Sequence, residues 1–305
     1  MTEQLIILNE IHDKAWGKPW PTITCTIHHH DIETDDTDAT FTCLLDVGLL
    51  RAALGILGKF SVIVIREEYE FLRELLEGKN RPFIITGQPG TGMTVFLLYL
   101  LIYRLQHELP TAVEFSPNVY IVFKANGVLM CPTNDVNIDH WRILPPGCWC
   151  LSDGNANVKH PCIPIQRDDL RTFLITSSRP NEYKDWWTQA VAKTVITALP
   201  QVVEVAAIVK MHGWNPCDAV SIMQTWGPCT RTVLTILRHP DEEDCLWQYA
   251  MDTAIDILRD VGRLPSGEGS TLLFICPIRC KDKSYYGNSK LIIPTMHLSE
   301  IFDKN

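Results

Sequence analysis

One stretch constrains the fold of this chain more than any other. A short apolar run, Phe83-Ile-Ile-Thr86, leads into Gly87-Gln-Pro-Gly-Thr-Gly92, and an apolar segment, Met93-Thr-Val-Phe-Leu-Leu-Tyr-Leu-Leu-Ile102, follows at once. The first run has the length and bounding glycine of a buried strand, and the last is too long and too evenly apolar to be a second one. Glycines at 87, 90 and 92 open backbone conformations that other residues avoid, so successive N–H groups can face one point. The helix that leaves the loop adds the positive end of its dipole there. A helix apolar on several faces must lie on a sheet, so the expected fold is α/β: a mostly parallel central sheet flanked by helices.

The spacing of this loop follows the phosphate-binding pattern G-x-x-x-x-G-K-[ST], except that Met93 stands where the lysine belongs. Gly87, Gln88, Pro89, Gly90, Thr91, Gly92, Met93, Thr94 and Val95 are the expected cradle for the phosphates of a nucleotide such as ATP. Thr94 offers a hydroxyl to Mg²⁺. A hydrogen bond to a charged group contributes roughly 1.5–3 kcal/mol, so losing the lysine weakens binding about ten- to a hundredfold. Hydrolysis suffers more, because phosphoryl transfer depends on electrostatic stabilisation of its transition state.

Three later segments extend the pattern. Gly147-Cys-Trp-Cys-Leu-Ser-Asp-Gly-Asn155 reads as a strand whose terminal Asp153 reaches the same Mg²⁺; no glutamate follows it to activate water. Arg171-Thr-Phe-Leu-Ile-Thr-Ser-Ser-Arg-Pro180 is a further strand, with Ser177, Ser178 or Arg179 as candidate sensors of the terminal phosphate. Arg231, just after Gly227-Pro-Cys-Thr, lies near a helix start from which it could reach a nucleotide.

Elsewhere residues 1–40 look irregular, with His28-His29-His30 in a solvated loop, since adjacent histidines point different ways. Helices are expected over Leu44–Leu57, Arg66–Gly78, from near Trp186, from Asn215 to about Thr225, from Gly227 onward, and over Asp241–Val261. Ser61–Ile65 is a short strand or an entry loop. Further strands are expected at Val119–Phe123, Gly127–Cys131, Gln201–Val209 and Leu272–Cys276, with a polar turn at Leu264–Ser270. The main sheet then has about five strands.

The 305 residues carry a net charge of −9, which gives no electrostatic footprint for whole-surface nucleic-acid binding. The start lacks the basic and apolar regions of a signal peptide. The apolar region from Cys43 to Ile65 is interrupted by Asp46, Arg51 and Lys59, which argues against a membrane span. Eleven scattered cysteines without zinc-type pairs imply reduced thiols and an intracellular, cytoplasmic or nuclear, protein.

The ordered set ITGQPGTGMTVFLLYLL, YIVF with its following NGV, CWCLSDGN, FLITSSRP with Tyr183-Lys-Asp-Trp186, MHGWN and WGPCTRTVL resembles one family. It is the P-loop ATPase domain of crinkler-like effectors and retrotransposon-hot-spot proteins, widespread in fungi and oomycetes. The resemblance runs from about residue 66 to 240. It implies an additional-strand P-loop NTPase with a helical C-terminal lid, often followed by a nuclease domain. It also implies phosphate and Mg²⁺ roles for Gly87, Gly90, Gly92 and Thr94, with Asp153 and Arg231 as catalytic residues. Homo-oligomers that share an arginine across subunits are common among such ATPases.

On this basis residues 1–65 are expected to be an N-terminal extension, 66–240 the NTPase-like core, and 241–305 a lid with a short final segment. Tyr285–Ile293 would be the remnant start of a nuclease domain. The expected function is a nucleotide-binding module with weak or lost hydrolysis and a regulatory or scaffolding role. The alternatives are an active ATPase whose lysine comes from Lys124, Lys159, Lys184 or Lys193, and an interaction domain that binds no nucleotide.

Overall fold

The computed structural model describes residues 3–32, 38–134, 143–155, 157–176, 180–259, 272–278 and 288–304. The N-terminal segment is ordered secondary structure rather than the irregular stretch expected. Helix α1 (Glu3–Ala15) buries Leu8, Ile11, His12 and Ala15. A small antiparallel sheet follows, built from β1 (Thr22–Ile27), β2 (Ala39–Leu44) and β3 (Ile63–Val64), with α2 (Val47–Ala53) between the last two. The helix expected over Leu44–Leu57 is therefore shorter, because Leu44 belongs to β2. His28 and His29 both pair with Asp38, at 2.7 Å and 3.2 Å, on the solvent-exposed side of this sheet.

Helix α3 (Glu67–Glu77) delivers the chain to β4 (Phe83–Thr86), and α4 (Met93–Gln106) leaves the glycine loop. Next come β5 (Thr111–Ser116), β6 (Val119–Lys124), β7 (Gly127–Pro132), β8 (Trp149–Asp153), β9 (Arg171–Ile175), α5 (Pro180–Ala190) and β10 (Lys193–Ile196). The central sheet has seven strands in the order β10–β4–β9–β8–β5–β6–β7. The first five run parallel, and β6 and β7 close one side as an antiparallel hairpin.

Both faces of β4 are covered. Phe83 and Ile85 join the main core with Leu97, Leu101 and Leu105 of α4, while Ile84 meets Leu174, Tyr183 and Trp186 on the opposite face. This explains why β4 lacks alternation and why α4 is apolar on several faces. The parallel strands bring Thr86, Asp153, Ile175 and Ile196 to one edge of the sheet, which is where α/β folds place their ligands.

One expected strand is a helix. Gln201–Val209 lies in α6 (Val202–Met211), and the edge strand expected there is β10, just before it. The valines suggest a strand locally, but Gln201 and Glu204 form a reciprocal capping box that starts a helix. Val205, Ala206, Ala207 and Val209 then pack on the small sheet. The C-terminal part contains α7 (Pro216–Trp226), with Asn215 capping the Cys217 amide, then α8 (Thr230–Arg238) and α9 (Glu242–Arg259). A hairpin of β11 (Phe274–Pro277) and β12 (Ser289–Ile292) and helix α10 (Met296–Asp303) complete it. The turn at Leu264–Ser270 lies outside the described residues, as does Tyr285. Among the described residues no helix is long and apolar enough to cross a membrane.

A buried ion pair joins α3 to α6. Arg66 Nε donates to Glu204 Oε2 at 3.0 Å, with both side chains about 3% exposed. Glu204 also accepts the Glu67 and Gln201 amides. Removing one member strands a buried charge, which costs about 3–5 kcal/mol. Glu204→Ala is expected to lower the unfolding free energy by that amount in urea titration; a loss under about 1 kcal/mol would mean that water reaches Arg66.

Candidate functional site

The carbonyl groups of residues 88–92 all accept hydrogen bonds. Thr91 Oγ1 donates to Gln88 O at 2.8 Å, Cys229 Sγ to Pro89 O at 3.5 Å, and the Arg231 amide to Gly90 O at 3.0 Å. Arg66 Nη1 donates to Thr91 O at 2.7 Å and Tyr69 Oη to Gly92 O at 2.9 Å. Gly90 and Gly92 hold φ of 85° and 98°, the left-handed region that favours glycine. Gly87 is required for space: a Cβ there would meet Thr197 Oγ1 at 2.1 Å.

With the carbonyls occupied, the amides are left over. From Gly90 to Val95, no backbone N–H donates to another group among the described residues. Some of these are the orphan donors of any helix start, and the loop extends the series backward. Six consecutive donors at the positive end of a 14-residue helix are a set that suits an anion. Gln88 is buried inside the loop, and its side-chain oxygen accepts the Ile275 amide of β11 at 3.1 Å.

Thr94 and Asp153 meet as the sequence pattern requires. Thr94 Oγ1 donates to the Asp153 carboxylate at 3.1 Å and 3.3 Å. Burial pushes the Asp153 carboxyl up from 3.8 to about 6, and the Thr94 hydrogen bond only partly offsets this. No basic side chain pairs with Asp153 among the described residues. A half-buried carboxylate beside a hydroxyl, with no basic partner among the described residues, is a hard-oxygen donor set that fits Mg²⁺.

Met93, at the lysine position, is half-buried against the main core. None of the candidate lysines is placed beside the loop by a contact the structure describes. Lys193 begins β10 beside Pro82, at the opposite end of the strand from Gly87, and Lys124 ends β6 near the hairpin turn. Lys184 lies on α5, and nothing in the structure ties Lys159 to the loop. The candidate sensors Ser177, Ser178 and Arg179 lie outside the described residues.

The position after Asp153 is closed to a side chain. A Cβ at Gly154 would meet Ile175 O and Thr176 Cβ, each at 2.8 Å. A water-activating glutamate cannot be accommodated there without moving β9. The nearest alternative on the neighbouring strand, Glu114, is buried on the other face of the sheet, where it accepts Ser152 Oγ at 2.8 Å and the Cys162 amide at 3.1 Å.

Sequence reasoning missed the residues that hold the loop: Arg66, Tyr69, Thr197 and Cys229. Tyr69 carried a weak signal as part of the α3 apolar stripe; the others act across long sequence separations. A scan against protein-family models and a search of curated proteins find no match to this chain.

The raised Asp153 carboxyl has a pH consequence. The folded state binds this proton more tightly than the unfolded chain, so the contribution of Asp153 to stability is highest below about pH 4, falls as pH rises to about 6, and is level above that. Without divalent ions, the parent protein is expected to lose about 2–3 kcal/mol relative to Asp153→Asn across that window in urea unfolding. Parallel profiles for the two proteins would show that Asp153 is solvated.

Proposed function

We propose that the chain is a P-loop nucleotide-binding module that takes ATP with Mg²⁺ at Gly87–Val95 and hydrolyses it weakly or not at all. The observation that carries this reading is the series of amides from Gly90 to Val95 that find no partner among the described residues, beside the Thr94–Asp153 pair. The amides bind phosphate oxygens; Thr94 and Asp153 hold the ion, which when bound supplies positive charge to those oxygens.

The strand order supports the finer assignment. β9 lies between the loop strand β4 and the Asp153 strand β8, which is the additional-strand arrangement of such NTPases. The sequence resemblance to the ATPase domain of crinkler-like effectors and retrotransposon-hot-spot proteins points the same way. Weak hydrolysis follows from two features, Met93 in place of the lysine and the closed position at Gly154.

A regulatory or scaffolding role follows from what surrounds the loop. Its carbonyls are held by α3 and by the start of α8, and Gln88 holds β11. Occupancy of the loop therefore acts on elements that reach the C-terminal part of the chain.

Thermal unfolding with ATP and Mg²⁺, run alongside a phosphate-release assay, tests this. The midpoint is expected to rise at millimolar nucleotide, with no release above background, and Asp153→Asn is expected to lose the Mg²⁺ dependence of the shift. No shift at millimolar ATP–Mg²⁺ would exclude the loop as a nucleotide site. Sustained turnover would overturn the claim of impaired hydrolysis.

A further inference from the structure

We propose that the open edge of β2 is a docking groove for a short extended peptide segment rich in lysine or arginine, which adds a strand to the small N-terminal sheet.

Strand β2 is paired along its whole length on one side only. Every residue from Ala39 to Leu44 matches β1, but on the other side β3 covers just Cys43 and Leu44. Beyond them Ile65 still gives its amide to Thr42 O at 2.9 Å, and the chain then turns away into α3. Backbone groups alternate in direction along a strand. Leu45 donates to Pro21 O on the β1 side, so Phe41 and Cys43 also face β1. Thr40, like Thr42, faces the uncovered side. The Thr40 N–H and C=O and the Thr42 N–H have no hydrogen-bond partner among the described residues.

A groove of about 820 Å³ lies along this edge. It is lined by Thr40, Phe41 and Thr42 on β2, by Glu67 and Glu70 on α3, and by Val203 on α6. Asp38 and Glu204 add two more carboxylates. The basic residue in the lining is Arg66, which is 2% exposed and already paired with Glu204. Glu67 is exposed, and its carboxylate meets Gln201 Nε2 at 3.4 Å but no basic side chain among the described residues.

These features choose the occupant. A strand laid against Thr40 and Thr42 continues the line of β3 and takes up the open backbone groups. Its residue opposite Phe41 shares that face of the sheet, near Val203, and suits a β-branched apolar side chain. The residues on either side of it suit lysine or arginine, whose long stems carry charge to the carboxylates. A second copy of this chain is a poor occupant. Edge-to-edge pairing would bring two sets of these carboxylates together on chains of net charge −9.

Fluorescence anisotropy with the full chain and a labelled, amidated peptide, Lys-Val-Lys-Val-Lys, tests the proposal. Saturable binding is expected below about 1 mM chain, and none with Glu-Val-Glu-Val-Glu. N-methylation of the lysine amides removes the donors aimed at β2 and is expected to weaken binding about tenfold or more. N-methylation of the valine amides, which point away from β2, is expected to change it less than about threefold. Glu67→Gln is expected to weaken binding about two- to fivefold. Thr40→Pro, which on an edge strand removes only the outward N–H, is expected to cost about threefold or more. No saturable binding below about 1 mM, equal binding of the glutamate peptide, or equal losses from both N-methylated peptides would overturn the proposal. So would a dimer that forms through this edge, seen as a concentration-dependent sedimentation shift abolished by Thr40→Pro. The N-methylated peptides leave the protein unaltered, so the test stands even if Thr40→Pro unfolds.

Discussion

The engagement of five loop carbonyls in hydrogen bonds is the constraint on which the rest of this structure depends. A peptide group that commits its oxygen to one side directs its N–H to the other. Once Thr91, Cys229, Arg231, Arg66 and Tyr69 have claimed the carbonyls of residues 88–92, the amides of residues 90–95 are left without partners among the described residues. The glycines permit this geometry, but they do not enforce it. Enforcement comes from donors on α3 and α8, and from the Arg66–Glu204 pair that fixes the first of these to α6. The amide set is thus a property of several elements packed together rather than of one motif.

In the proposed reading the hydrolytic side of the site is weakened, for reasons that can be named. Met93 has exchanged a charge for apolar contact with the core. Gly154 is hemmed in by the β9 backbone, and the buried carboxylate of Glu114 is spent on Ser152 and Cys162 across the sheet. What remains, on that reading, is a set suited to binding: amide donors for phosphate, and a hydroxyl–carboxylate pair for a cation.

Much of this was legible in the sequence, and the rest was not for physical reasons. The strand–loop–helix from Phe83 to Ile102, the Asp153 strand and the Asn215 cap each depend on neighbours within a few residues, and periodicity or capping chemistry exposes them. Strand β5, between Pro110 and Pro117, went unread because its only strong partners are β8 and β6. The 201–209 segment misled because β-branched residues favour a strand locally, whereas the capping box and the burial against the small sheet decide for a helix. The supports of the loop were least visible of all. Arg66 and Glu204 stand 138 positions apart, and no local pattern ties one to the other.

The N-terminal helix has a consequence for the sheet it covers. Strand β7 is the last in its row, and α1 closes that row with side chains instead of another strand: Asn9 Oδ1 takes the Val128 amide, and His12 Nε2 donates to Lys124 O. The outward amide of Val128 is thereby taken, and α1 covers the rim next to the hairpin turn. Helix α1 thus lies over part of the sheet edge at the side farthest from the glycine loop.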